Sequence, residues 1–149
     1  MAKKTDINKK IAEVLKLLEI EGDFEVSENE EGFDVVLSTE DSGIVIGHHG
    51  DTLEALQIIL SLVLSKALGE YKRVSVEIGD YKKNRSEYLE NLALETKERV
   101  LSENKEIYLP ELKSLERRIV HIILQDDPKV ISESVGEGKD RTLVVKPKN

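Results

Sequence analysis

A chain of 149 residues with no cysteine and a formal net charge of −8 excludes disulfide frameworks, thiolate metal sites and a cysteine nucleophile. The length fits one domain or two small ones, and an apolar content of 39% suffices for a packed core. The acidic balance argues against a general polyanion binder, and with 4% aromatic residues and no Trp, an aromatic platform for base stacking is not expected.

The charge is unevenly spread. Residues 1–79 hold 8 Lys/Arg against 16 Asp/Glu, whereas residues 80–149 hold 14 of each. All the acidic excess therefore lies in the first half, and the shift near residue 80 marks a candidate domain boundary. The N-terminal "MAKKTDINKKIAEVLKLLEI" lacks the apolar core of a signal peptide. No run approaches the roughly 18–20 apolar residues of a membrane span. The expectation is a soluble, cytoplasmic protein.

In chain order, Ile7, Ile11, Val14, Leu15 and Leu18 recur at helical spacing and predict an amphipathic helix over 6–19, with Asp6 as its N-cap. "DFEVSENEEGFDVVLST" reads as two strands joined at "NEEG". Residues 41–46 fit a short helix or a turn. "GHHG", Gly47 to Gly50, then breaks the apolar segment just before a strongly helical run. Asp51 is placed to cap that helix, with Glu54 as its capping-box partner, and Gly69 to end it. Leu53, Leu56, Leu60, Val63 and Ala67 form one face, while Ile58, Ile59, Leu62 and Leu64 make further faces apolar. Burial of this helix all round is the simpler reading, and a protein interface on part of it the sharper one. "RVSVEIGD" alternates as a strand. The first half thus reads αββααβ, a two-layer α+β sandwich.

The second half opens with a long charged helix, Tyr81 to about Glu103, whose core face is Tyr88, Leu89, Leu92, Ala93, Thr96 and Val100. "KEIYLPEL" is a short strand or extended link. A helix over Leu115–Gln125 follows, with Ser114 as its cap, and "KVISESV" and "RTLVVKP" are strands around the turn "GEGKD".

Two glycines three apart before a helix suggest close approach of a ligand to the backbone, since no Cβ stands in the way. A loop at a helix N-terminus also offers unpaired N–H groups and the positive end of the dipole. An apolar triplet, Gly-x-x-Gly and a helix in an αββααβ context is the layout of a KH domain, which clamps about four nucleotides of single-stranded RNA. Adjacent on a loop, His48 and His49 are expected to diverge. Arg117 and His121, four apart, share one helix face and suit adjacent phosphates of a strand. The plainer alternative pairs Arg117 with Glu116 or Asp126. Lys82, Lys83 and Arg85 face nucleic acid or form an ordinary solvated charge run. There is no His-x-x-x-His, serine elbow or Walker-type lysine, and "GEGKDR" lacks the following helix that a nucleotide fingerprint needs. No enzyme, metal or cofactor is expected.

The order "IGHHGDTLEALQ", "GDYKKNRSEYLENLA", "ERRIVHIILQDDPKV" and "SVGEGKDRTLVV" resembles the Jag/KhpB family of bacterial RNA-binding proteins, from about residue 5 to the C-terminus. The resemblance implies a KH domain of the bacterial type (type II) over 1–79. It implies an R-three-H domain, a small α+β unit with a three-stranded sheet, over 80–149. It also implies single-stranded RNA binding, with DNA open at the second domain, and post-transcriptional control linked to cell elongation and division. The implied protein partner is a small separate KH protein, with a homodimer as the other arrangement. The implied contacts are Ile46, Gly47, His48, His49, Gly50, Arg117 and His121, with Ile44 and Val45 joining Ile46 to line a groove for bases; by position, Arg141 adds a third positive contact beside the last two, and Lys82, Lys83 and Arg85 are candidate contacts on the same surface. Two departures stand out. The family usually carries a basic residue between the glycines, whereas histidine, with an ordinary pKa of about 6.5, is mainly neutral at pH 7. Weak KH binding that strengthens as pH falls is the expectation. The chain also leaves no room for the Jag-N domain of many relatives. The rival reading is a protein-interaction adaptor with residual RNA binding, supported by the acidic first half.

Overall fold

Helical spacing turns Ile7, Ile11, Val14 and Leu15 onto one buried face of α1 (Ala2–Leu17) in the computed structural model, which describes residues 2–149. The helix starts earlier than its capping signal suggests, so Asp6 lies within it, and Leu18 falls beyond its end, half exposed. Strands β1 (Asp23–Glu28) and β2 (Gly32–Ser38) form an antiparallel hairpin. Asn29 Oδ1 closes its turn by accepting from the N–H groups of Glu31 and Gly32, both at 2.8 Å. The chain continues through a short α2 (Ser42–Ile46) and a tight turn at His48–Gly50 to α3 (Asp51–Leu68), then β3 (Arg73–Ile78). Strand β3 runs parallel to β2, giving the sheet order β1-β2-β3.

Helix α3 does more than cover the sheet. Gln57, Ser61 and Ser65 stand four apart, and their side chains accept from the N–H groups of Val76, Val74 and Lys72, at 2.9, 2.9 and 2.8 Å. Four helical residues rise about 6 Å and two strand residues about 6.6 Å, so the two repeats match along the contact. The exposed edge of β3 is thereby satisfied by side chains rather than by another strand. The inward face of α3 is Leu53, Leu56, Leu60, Ser61 and Leu64. Val63 is only half-buried and Ala67 exposed, so the core face is rotated from the one expected. Burial all round does not hold either: Ile58 is 55% and Leu62 64% exposed.

The chain divides into two compact units, the first ending at Lys82 and the second running from Lys83 to Asn149. Helix α4 (Tyr81–Glu103) begins at Tyr81, whose ring packs against the core of the first unit. In the second unit its buried residues are Leu89, Ala93, Thr96 and Val100. Tyr88 is one position off this face and exposed, and Arg85 lies over its ring at 4.7 Å. After β4 (Ile107–Leu109) come α5 (Ser114–Leu124), β5 (Val130–Val135) and β6 (Thr142–Pro147). The sheet order is β4-β6-β5, antiparallel throughout, and Leu143 and Val145 from its central strand join Val120, Leu124 and Val130 in the core.

A buried ion pair fixes the start of α5. Glu116 accepts from Arg85 Nε at 2.8 Å and from its Nη2 at 3.2 Å, and also takes the backbone N–H of Lys113 at 3.1 Å. Lys113 rather than Ser114 is therefore the N-cap. Lys97 pairs with Asp127, which also accepts from the Lys129 N–H at 2.8 Å. These bonds hold the Asp127 carboxyl below its ordinary pKa, with the Lys97 hydrogen bond the largest cause. Among the described residues, no helix is long and apolar enough to cross a membrane.

Candidate nucleic-acid interface

In the first unit, Gly47 (φ 73°) and Gly50 (φ 79°) both sit in backbone space that side chains avoid. Each also has a packing reason to lack a Cβ. One added at Gly47 would strike Thr52, and one at Gly50 would lie 2.8 Å from the Tyr81 hydroxyl. The fold alone thus requires both glycines, before any ligand is considered.

The loop amides are less available than the pattern suggests. Gly47 N–H donates to the Gly43 carbonyl at 3.0 Å, Gly50 N–H to that of Gly47 at 3.4 Å, and Asp51 N–H to that of His48. At most the amides of His48 and His49 are left for a ligand. The left-handed backbone of His49 (φ 50°) turns its ring back onto its neighbour, so the imidazoles stack with centroids 4.0 Å apart instead of diverging. Gly50, also left-handed, occupies the N-cap of α3, and Asp51 is its first helical residue rather than its cap. The expected base groove is altered too. Val45 is buried in the core, Ile46 is half-buried and Ile44 is 77% exposed.

In the second unit, Ser114, Arg117, Arg118 and His121 share one face of α5, because positions i, i+3, i+4 and i+7 align on a helix. They line a cleft of about 320 Å³ together with Ser134 of β5 and Arg141 just before β6. No carboxylate lines it. Arg117 is held in place by donating to the Leu112 carbonyl at 2.7 Å and to Ser114 Oγ at 3.0 Å. The expected alternative, pairing with Glu116, fails because Glu116 is buried and engaged by Arg85. His121 Nδ1 is hydrogen-bonded to the buried Ser132 Oγ at 2.8 Å. That contact fixes the ring and leaves Nε2 as the nitrogen for a ligand. Arg118 and Arg141 have no hydrogen-bonded or ionic side-chain partner among the described residues. Three guanidinium groups, an imidazole and two hydroxyls make a site for phosphate oxygens.

The cations at the start of α4 separate. Arg85 is committed to Glu116, which takes it out of the exposed cationic set. Lys82 reaches Ser75 Oγ at 2.7 Å and Gln57 Oε1 at 3.2 Å inside the first unit. Lys83 stays exposed.

The KH domain family of KhpA/KhpB matches residues 5–78, and the R-three-H domain family matches residues 87–147. The RNA-binding protein KhpB of Clostridium symbiosum is 36% identical over 81% of this chain and 54% of its own length. That of Bacillus subtilis is 34% identical over 85% of this chain and 62% of its own. The chain belongs to the Jag/KhpB family. It spans roughly half to three-fifths of the length of these relatives.

The Jag/KhpB resemblance pointed to the Arg-x-x-x-His pair and chain position to Arg141, all three of which the cleft brings together. Sequence reasoning missed Ser114, Arg118 and Ser134. For the first two the signal was present: Ser114 stands three residues before Arg117, and Arg118 three before His121 and four after Ser114. Ser134 carries no local sign, because its place depends on strand pairing across β6.

Proposed function

We propose that this chain binds single-stranded RNA, with the arginine-lined cleft of its R-three-H unit as the principal phosphate site. The observation that carries the reading is a cleft holding Arg117, Arg118, Arg141 and His121 with no carboxylate, on a chain of net charge −8. Cations concentrated against the overall charge balance are placed to meet a local anion. The two cleft hydroxyls suit a strand held by its backbone. The Gly-x-x-Gly loop is a second, weaker contact, made by the His48 and His49 side chains more than by backbone amides. Two weak contacts on one chain gain from effective concentration. This is a binding role rather than an enzymatic one, exercised in the cytoplasm as post-transcriptional control. Filter binding of an unstructured RNA at several salt concentrations tests it. The expected slope is about −0.7 per neutralised phosphate, and absence of both binding and slope overturns the proposal.

A second reading concerns a protein partner. Ile58 and Leu62, one turn apart and more than half exposed, leave α3 with an apolar outer strip. We read it as the docking face for a second copy of the chain or a small KH-domain protein. Sedimentation of the chain alone and mixed with such a protein, with Leu62→Glu as the disrupting variant, tests this reading. Unchanged association in the variant removes the strip from it.

A further inference from the structure

We infer that bases of a bound strand are laid on an aliphatic ridge of α5 formed by Leu115 and Ile122, beside the cleft that takes the phosphates. The inference rests on the single-strand reading of the cleft.

Successive residues of a helix are about 100° apart around its axis, so the 11 residues of α5 sort into three arcs. Glu116, Val120 and Leu124 point into the unit and are buried. Next round the helix come Arg117, His121, Ser114 and Arg118, the cleft arc. The remaining arc holds Ile122, Leu115, Ile119 and Ile123. Leu115 is 69% exposed, Ile122 49% and Ile123 37%, and Ile119 is half-buried. A surface helix ordinarily carries polar residues opposite its core stripe. Here the solvent-facing arc is aliphatic, and it begins where the cationic arc ends.

Arg118 joins the two. Leu115 lies three residues before it and Ile122 four residues after, which are the nearest-neighbour positions on a helix surface, about 5–6 Å away. Its alkyl stem continues the ridge while its guanidinium serves the cleft. An unpaired nucleotide strand has the matching pattern. Each residue carries an anion and, a few ångströms away, a flat and largely apolar base face. A duplex carries the anions but hides those faces in its stack, so the ridge favours unpaired strands. Leu115 and Ile122 have no polar side-chain atoms, so they cannot distinguish bases by hydrogen bonding. The grip is on unpairedness rather than on sequence.

The test uses the full chain and a 4-thiouridine oligonucleotide, photocrosslinked and mapped by mass spectrometry. Base adducts are expected on the α5 peptides bearing Leu115 and Ile122. In the L115S/I122S variant those adducts fall at least about fivefold, while adducts at Gly47–Gly50 persist. Affinity for the oligonucleotide falls about tenfold, the scale of losing two partly buried aliphatic contacts. Affinity for an abasic strand of equal length stays the same, as does the salt slope. Both mutated side chains are exposed, so the variant is expected to melt as the parent does. The inference is overturned if α5 adducts are absent from the parent or survive in the variant, or if the abasic strand weakens equally. It is also overturned if the variant keeps its RNA affinity and loses self-association instead, which would make the ridge a protein contact. Failure of the cleft reading looks different: Arg118→Ala with Arg141→Ala would then leave affinity and salt slope unaltered.

Discussion

Under the proposed function the two units meet the same kind of ligand with opposite means. The KH unit, whose sequence holds twice as many acids as bases, offers a tight turn with stacked imidazoles and few spare amides. The R-three-H unit, balanced in charge, gathers three arginines and a histidine in one cleft and keeps its acids elsewhere. Glu116, the one acid of α5, is buried against Arg85, and Asp127 is engaged by Lys97. Net charge alone would have assigned neither unit to a polyanion. What matters is whether carboxylates are removed from the surface proposed to take the phosphate.

The comparison can be broken most severely at the Arg85–Glu116 pair. Arg85→Met removes the guanidinium from a buried carboxylate, and a loss of about 3–5 kcal/mol is expected, read by denaturant unfolding of the second unit. A smaller loss would mean that solvent reaches Glu116 and that the cleft does not depend on its sequestration. Next, Arg118→Ala with Arg141→Ala removes two cleft cations that hold nothing else in place. RNA affinity should fall about ten- to a hundredfold and the salt slope by about 1.4, with the melting temperature unchanged. In the first unit, Ser61→Ala deprives the buried Val74 N–H of its acceptor and should cost about 1–3 kcal/mol in thermal unfolding. His48→Asp with His49→Asp sharpens the contrast directly. Affinity should drop only about threefold to tenfold, less than in the arginine variant, without loss of fold. Equal losses in the two variants would put the loop on a par with the cleft.

The smallest expected effect is an acid response. Asp127 is held below its ordinary pKa in the folded state, so its contribution is present above the unfolded value of about 3.9. That contribution disappears as pH falls through the folded value. Lys97→Met should therefore flatten the decline in stability of the second unit below about pH 4, followed by circular dichroism. An unaltered acid limb would assign the decline to other carboxylates.

Much of this was legible in the sequence, for reasons that residues make clear. Helix α4 is legible because Leu89, Ala93, Thr96 and Val100 keep one helical period along its middle. The hairpin announced itself through Asn29 and alternating strands. Helix α3 was located but its inward face was misjudged, since a helix apolar on several sides carries no phase of its own. The buried side is decided by β3, through Gln57, Ser61 and Ser65. In the loop, both glycines were noticed for what they admit. Thr52 and Tyr81, which forbid anything larger, act through contacts that no local pattern records. The Arg-x-x-x-His spacing accounts for two of the six cleft residues, and Arg118 escapes it because it fills one of the motif's unspecified positions.

The matched spacing of α3 and β3 has a consequence for assembly. With the β3 rim already occupied by side chains, the first sheet can recruit a foreign strand only at β1, where Asp23, Glu25 and Glu28 repel an acidic newcomer. A sheet with a single joinable rim can pair once with its own kind and then has no rim left. Edge-to-edge association of this unit is thereby capped at a closed pair, and a growing fibre has no second end to build from.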